Sequence, residues 1–292
     1  MAKLKTALRY GADAVYIGGG AFGLRARADN FTREEMDTAM QYAHELGKKV
    51  YVTMNILPRN NDLAPMAEYA KELSKIGADG VIVSDPGGFL TVREAAPNLK
   101  IHISTQANNL NWRTCKMWFD LGAERVNLAR ELSLKEIAEI RRKLAEHMGT
   151  ELDETIRLEA FVHGAMCMSF SGRCMLSDYM ASRSSNRGDC AQPCRWNYHI
   201  VEEQRPGQYM PVFENERGTF IFNSKDLCML EYLPEMLEAG VDSLKIEGRM
   251  KSEYYTGVTV AAYRRAIDAC CADPKNYRNN KALLNELMRR CV

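Results

Sequence analysis

One short pattern recurs four times along these 292 residues: an apolar helix end, a glycine, a two-residue step closing on an acid, then an apolar run. It appears as YGADAVYIGG (Tyr10 to Gly19), IGADGVIVSD (Ile76 to Asp85), LGAERVNLAR (Leu121 to Arg130) and AGVDSLKIEG (Ala239 to Gly248). LGKKVYVTMN (Leu46 to Asn55) is a looser copy. Glycine is the residue a helix needs just past its C-terminus, because it tolerates positive φ. A Val/Ile-rich run directly afterwards predicts a strand covered by apolar contacts on both faces, as in a parallel sheet.

Amphipathic helices separate these strands. Thr32 with Glu35, and Ser133 with Glu136, are capping boxes at the starts of two of them. Further strand-like runs are KIHISTQ (Lys100 to Gln106), RLEAFVHG (Arg157 to Gly164) and TFIFNSKDL (Thr219 to Leu227). A last helix is predicted near Tyr254 to Cys270. Strands alternating with helices at this spacing predict a TIM-like (β/α)8 barrel; a doubly wound open sheet is the competing architecture. NYHIVEE and QYMPVFE flank Pro206-Gly207 and predict a β-hairpin insertion at about 195–218. The barrel domain is expected over 1–271. The polar, weakly patterned stretch 272–292 is expected to start a truncated C-terminal extension. The chain opens in what reads as mid-helix, so the barrel is expected to lack its first strand, leaving an open edge and poor solubility.

Function in such a barrel sits on the loops that follow the strands. Those strand ends are polar: Asn55, Asp85, Gln106, Asn127, Arg130, His163, Asn223, Lys225, Asp226, Glu247 and Arg249. They predict a shared cleft. Five of the nine cysteines fall within one stretch: Cys167, Cys174, Cys190, Cys194 and Cys228. The intervening residues number six, fifteen, three and thirty-three. Cys167 and Cys174 directly follow RLEAFVHG, and Cys228 follows TFIFNSKDL, so all five are expected at one face. Soft thiolates suit zinc or an iron–sulfur cluster. The wide gaps are unlike the tight knuckles of structural zinc sites. Cys115, Cys270, Cys271 and Cys291 fit small buried hydrophobes. Arg25, Arg27, Arg173, Arg183, Arg187, Arg195, Lys245 and Lys251 are candidate anion partners or a solvated surface.

Net charge is +1, so no global basic footprint announces nucleic acid. No run of about eighteen apolar residues or secretory leader is visible, so the expectation is a cytoplasmic chain without membrane contact. Reduced thiols there point to metal or redox chemistry rather than disulfides. Neither G-x-S-x-G nor H-E-x-x-H occurs, and GGGAFG (Gly18 to Gly23) lacks the lysine of a phosphate loop.

The run EAFVHGAMCMSFSGRCMLS (Glu159 to Ser177) resembles the signature of peptidase family U-32, the collagenase-like proteins. YGADAVYIGG, NRGDCAQPCRW, FNSKDLC and KIEGRMKS extend the resemblance over almost the whole chain. It is nearest to the branch that hydroxylates tRNA at the wobble uridine. The resemblance implies an oxygen-independent hydroxylase carrying a 4Fe–4S cluster, with prephenate as oxygen donor and 5-hydroxyuridine as product. It implies Cys167, Cys174, Cys190 and Cys228 as ligands, with Cys194 as the alternative. By chemistry alone, Arg130, Lys225 and Arg249 are candidates for the donor's carboxylates, and His163, Lys225 and Glu247 for acid–base work. The competing readings are a collagenase-like protease (a hydrolase), or a zinc-bound or metal-free barrel serving as a subunit of another hydroxylase. A homodimer or heterodimer is compatible with each.

Overall fold

A computed structural model of the chain describes residues 1–24, 30–149, 156–165, 167, 169–196, 200–201, 204, 206–207, 209–210, 214–215, 218–219, 226–249, 251–274, 277–278 and 281–291. In chain order the elements are α1 (Ala2–Arg9), β1 (Ala14–Gly18), α2 (Arg33–Glu45), β2 (Lys49–Met54), α3 (Asn60–Lys75) and β3 (Gly80–Val83). They continue with α4 (Pro86–Ala95), β4 (Ile101–Ile103), α5 (Trp112–Asp120), β5 (Arg125–Asn127), α6 (Leu134–Met148), β6 (Leu158–Gly164) and α7 (Leu176–Ala181). The rest are β7 (Ile200–Val201), β8 (Tyr209–Met210), β9 (Glu214–Asn215), β10 (Gly218–Thr219), β11 (Leu227–Cys228), α8 (Leu233–Glu238), β12 (Ser243–Ile246), α9 (Glu253–Ala272) and α10 (Lys281–Cys291).

The recurring glycine step closes each helix by one mechanism. Gly11, Gly47, Gly77, Gly122 and Gly240 all take positive φ. The next residue then donates its N–H five residues back: Ala12 to Ala7 O (3.0 Å), Lys48 to Ala43 O (2.9 Å), Ala78 to Leu73 O (3.0 Å), Ala123 to Trp118 O (2.9 Å), Val241 to Met236 O (3.2 Å). This is a Schellman cap. The acid of the step has its own task. Asp79 Oδ2 accepts the Val50 N–H at 2.8 Å, and Asp242 Oδ2 accepts the Leu158 N–H at 2.7 Å. Each carboxylate thereby fixes the start of the neighbouring strand. Both capping boxes form: Glu35 N–H donates to Thr32 Oγ1 at 3.2 Å, and Glu136 N–H to Ser133 Oγ at 3.4 Å.

β1 to β6 pair in sequence order, all parallel, and β12 pairs parallel to β6, so seven parallel strands curl in the order β1-β2-β3-β4-β5-β6-β12. With α1 to α6, α8 and α9 around the sheet, this is the (β/α)8 architecture with one strand position open. On the edge of β1 away from β2, Gly18 O accepts the Phe31 N–H at 2.9 Å in an isolated parallel bridge. The outward faces carry the core: Val50, Val52, Met54, Val81, Val83, Ile101, Ile103 and Leu158 are sealed beneath Met40, Leu73, Phe89, Trp118 and Leu144. Each such side chain contributes about 1.5–3 kcal/mol by leaving water.

The concave face departs from expectation. Alternate strand residues point inward, and there they are polar: His102, Asn127, Glu159, His163 and Lys245 are buried and Arg125 is half-buried. Contacts between strands that are not neighbours show that these side chains meet inside the curl. Arg125 lies over the Tyr51 ring at 5.4 Å, and Lys245 over Tyr16 at 4.7 Å. The strands are therefore apolar on the helix-facing side only.

Of TFIFNSKDL, Thr219 closes β10 and Leu227 opens β11, which runs antiparallel to β6 with Cys228 opposite His163. Residues 220–225, including Asn223 and Lys225, lie outside the described residues. The anticipated hairpin is present as the antiparallel pair β7–β8, followed by the pair β9–β10. Beyond Cys271 the chain forms α10, whose Leu283 and Leu287 are buried, rather than an unpatterned tail. Among the described residues no helix is long and apolar enough to cross a membrane.

Candidate functional site

The cysteine loop begins where β6 ends. Gly164 takes φ +115° there, and a Cβ would sit 2.5 Å from the Glu247 carbonyl oxygen. Only glycine lets β6 turn out against the end of β12. Cys167 follows at once and is exposed; Cys174, Cys190, Cys194 and Cys228 are half-buried, and none of the five is in a disulfide. The loop is docked on the barrel mouth at several points. Ser171 donates its N–H and its hydroxyl to the Glu131 carboxylate at 2.6 and 2.8 Å. Arg173 Nε donates to Gln106 O at 2.8 Å. Leu57 N–H donates to Asn186 O at 3.0 Å. Arg187 grips Asp62 at the start of α3 with two hydrogen bonds, 2.6 and 3.0 Å.

That last pair has a measurable consequence. The Arg187 hydrogen bonds, helped by the Arg59 N–H and opposed by burial, bring the Asp62 carboxyl down to about 2. A carboxyl depressed by folding stabilises above its unfolded value and loses that contribution as pH falls through its folded value. Loop docking is therefore expected to be intact above about pH 4 and to fail as pH falls towards 2. Pepsin nicking of 173–196 measured across that window should rise in the native chain. In Asp62→Asn it should be high and flat; an unchanged profile would remove the pair from the docking account.

The donor set suits a soft metal centre. Leu176 N–H donates to Cys174 Sγ at 3.3 Å, and Gln192 N–H to Cys190 Sγ at 3.4 Å. Backbone N–H groups aimed at ligand sulfurs tune a cluster's potential. Cys194 belongs to the same neighbourhood. Its thiol is pushed up by burial first, then by Cys167, Cys190 and Cys174, with Arg195 opposing. Cys228 reaches the rim from β11. That short strand is held by Tyr263, whose hydroxyl donates to Val162 O at 2.7 Å and accepts the Met229 N–H at 3.0 Å. Among the described residues no three His, Cys, Asp or Glu side chains are already drawn into a coordination sphere. The thiols share a rim, and a metal centre would have to gather them.

The polar strand ends divide into two groups. Towards β5 and β6, the Arg130 guanidinium lies over the Phe161 ring at 4.2 Å, and its buried Nε has no hydrogen-bond partner among the described residues. His163 is buried between Tyr255 and Tyr263, and its Nε2 also has no hydrogen-bond partner among the described residues. Burial brings its pKa down to about 4, so the ring is neutral at neutral pH. Towards β12 and β1, Glu247 accepts the Tyr16 hydroxyl at 3.0 Å and the Arg249 N–H at 3.1 Å. Arg249 itself hydrogen-bonds Asn30 and packs on Gly18, where a Cβ would collide with the guanidinium. Asn55 Nδ2 donates to Gln106 Oε1 at 3.1 Å, joining two further candidates. Asp85 leaves the cleft, because its side chain caps α4 by accepting the Gly88 N–H at 2.8 Å. Arg183 and Arg187 are held by Asp189 and Asp62. Arg25, Arg27 and Lys225 lie outside the described residues. Glu131 and Tyr263, which position the loop and β11, were not among the expected residues; Glu131 directly follows the strand-end run closing on Arg130, the one sequence signal pointing to it.

Comparison with known proteins adds the family context. The sequence model described as Peptidase family U32 matches residues 1–291. The chain is 45% identical over 285 residues to the tRNA hydroxylation protein P1 of Bacillus subtilis (strain 168), covering 98% of this chain and 65% of that protein. It is 41% identical over 308 residues to the tRNA hydroxylation protein P of Escherichia coli (strain K12), covering 92% and 66%. The 23S rRNA 5-hydroxycytidine C2501 synthase of the same strain is 36% identical over 265 residues, covering 91% of this chain and 37% of that protein. The chain thus spans about two thirds or less of the length of these relatives.

Proposed function

The chain belongs to peptidase family U32, and from that premise we propose that it is the barrel of an iron–sulfur RNA hydroxylase acting on tRNA. The finer reading is oxygen-independent conversion of the wobble uridine to 5-hydroxyuridine, with prephenate as oxygen donor. The observation that carries it is that Cys167, Cys174 and Cys190 act on the Cys194 thiol in the loop leaving β6, while Cys228 stands opposite His163 at that strand's end, the face where barrel enzymes hold their chemistry. The names of the relatives, which concern hydroxylation of tRNA and of rRNA, point the same way.

Replacing C–H by C–OH is a two-electron oxidation, and a 4Fe–4S cluster would supply the one-electron redox steps that side chains do not. Cys167, Cys174 and Cys190 would hold three irons, and Cys228 the fourth, with Cys194 as the alternative. The two N–H groups directed at the Cys174 and Cys190 sulfurs would hydrogen-bond a cluster's ligands. Arg130, backed by the Phe161 ring, offers a planar cation for a carboxylate. Arg249 and Lys225 are the other candidates for that task. His163, neutral and with Nε2 unpartnered among the described residues, is suited to take or give one proton inside the mouth. Glu247 is the alternative acid–base group, and its hydrogen bonds to Tyr16 and Arg249 orient it.

Nucleoside analysis of bulk tRNA tests the reading. Loss of the gene should lower 5-hydroxyuridine and its derivatives, and the intact gene should restore them. Unchanged nucleosides would overturn the assignment. Gelatin cleavage that survives loss of all five clustered cysteines would move the chain to peptidase chemistry instead.

A further inference from the structure

Two tyrosines of α9 enclose the His163 ring, Tyr255 at 5.8 Å and Tyr263 at 5.6 Å between ring centroids. Tyr263 is buried, and its hydroxyl oxygen is a hub. It lies 2.7 Å from Val162 O, 3.0 Å from the Met229 nitrogen and 3.5 Å from His163 Nδ1. Burial first, and then Cys228, raise the phenol's pKa, so the hydroxyl keeps its single proton. The charged groups that act on the His163 ring, Asp226 and Lys251, are paired with each other at 2.6 Å. The Tyr255 hydroxyl also holds Asp226, at 3.3 Å.

Each backbone neighbour of that hydroxyl permits one role only, since a carbonyl oxygen accepts and an N–H donates. The phenol proton therefore goes to Val162 O, its shortest contact. The Met229 N–H is shared between the same carbonyl, at 2.9 Å, and the phenol oxygen. One lone pair of the phenol is left, and it faces His163 Nδ1. The proton of a neutral imidazole follows the hydrogen bond its ring nitrogens can make. An unprotonated Nδ1 would set lone pair against lone pair. The proton would then sit on Nε2, a buried donor with no acceptor among the described residues. Turning the phenol proton towards Nδ1 would exchange a 2.7 Å contact for one of 3.5 Å and still leave the Nε2 proton without an acceptor. A doubly protonated ring has the same fault, and burial opposes it.

We propose that Tyr263 is a positioning residue that holds His163 with its proton on Nδ1 and a bare lone pair on Nε2, so that His163 enters the reaction as an acceptor and not as an acid. The ligand group that complements it is an O–H or N–H donor, because a second acceptor at Nε2 would repeat the clash that Tyr263 prevents at Nδ1. Any proton the reaction must supply comes from another group. The work of His163 on a substrate rests on the hydroxylase reading, whereas its tautomer is a property of the folded chain alone.

Nitrogen NMR of the full chain, carrying isotope-labelled histidine and not loaded with iron, tests this at neutral pH. His163→Gln identifies the His163 signals among those of the five histidines. The expected pattern is a protonated, pyrrole-type Nδ1 and a pyridine-type Nε2. A proton on Nε2, alone or together with one on Nδ1, would overturn the proposal. Tyr263→Phe keeps the ring and removes the hydroxyl. It should lose most of the Nδ1–H form in favour of the Nε2–H form that imidazole side chains prefer in water, while the buried His102 keeps its signals. An Nδ1–H form retained in full by Tyr263→Phe would overturn the role of Tyr263. Should that variant not fold, the native chain still decides: magnetisation should pass between the Nδ1 proton and the Tyr263 ring protons, and its absence would remove Tyr263 from the account. The spectra need neither iron, RNA nor turnover, so failure of the tautomer and failure of the hydroxylase reading are separate results.

Discussion

Cys167→Ser, Cys174→Ser and Cys190→Ser are each expected to leave the anaerobically reconstituted chain without stably bound iron and sulfide. The measurement is metal and sulfide content together with visible absorbance. Serine is a hard oxygen donor and a poor replacement for a soft thiolate. Three half-buried or exposed thiols on one docked loop have no other structural task that demands sulfur. Cys115→Ser is the control, because Cys115 is fully buried in the core and burial pushes its thiol up to about 12. It should retain iron. Cys228→Ser against Cys194→Ser decides the fourth ligand. Cys228 lies on a strand fixed to β6 and stapled by Tyr263, which gives a ligand the rigid support a cluster site needs. The expected result is therefore loss of iron in Cys228→Ser and retention in Cys194→Ser. The reverse would move the ligand to Cys194. Retention of full iron in all of the first three variants would remove the cluster reading altogether, and one tightly bound zinc per chain would replace it.

How far the sequence anticipates this site depends on range. The glycine steps and the capping boxes are local devices, and each forms where the pattern says it should, because its partners lie within five residues. The parallel order follows too, since short helical crossovers leave few alternatives. The inner face was also written in the sequence, in the alternation of I-H-I, R-V-N and S-L-K-I, but the apolar residues between dominate a simple count. β11 was not legible. Two residues carry no periodicity, and their antiparallel pairing with β6 is decided by Tyr263, thirty-five residues further on in the case of Cys228. Likewise, Asp85 and Arg187 looked like cleft residues until the structure gave each a local or cross-loop partner.

The interior pair Glu159–Lys245 should produce the largest stability effect of any single substitution in the barrel. The Lys245 ammonium donates to Glu159 Oε1 at 2.8 Å, Ser243 Oγ donates to Oε2 at 2.9 Å, and both charged residues are under one tenth exposed. Burial opposes ionisation of Glu159, yet Lys245 and then Arg125 outweigh it and hold the carboxyl below its usual range. Glu159→Ala leaves the buried Lys245 and the half-buried Arg125 without this counter-charge, which costs about 3–5 kcal/mol. Glu159→Gln with Lys245→Met removes both charges of the pair and should cost clearly less. Urea unfolding of the three proteins at neutral pH measures the difference. A loss below about 1 kcal/mol in Glu159→Ala would mean that water entering from the β1–β12 seam already screens the pair. The sign with pH follows from the depressed carboxyl: the contribution is present above the ordinary carboxylate pKa and disappears as pH falls through the folded value. The same pair also bears on the rim. Glu159 and Ser243 face each other at the base of β6 and β12, and the register shifts between Lys245 and Ile246, which sets Ile246 opposite His163. A chain that loses this anchor is free to slip β12 along β6. His163, the Gly164 turn and the first cysteine of the loop would then move with it, so Glu159→Ala should lower iron retention even though Glu159 touches no thiol.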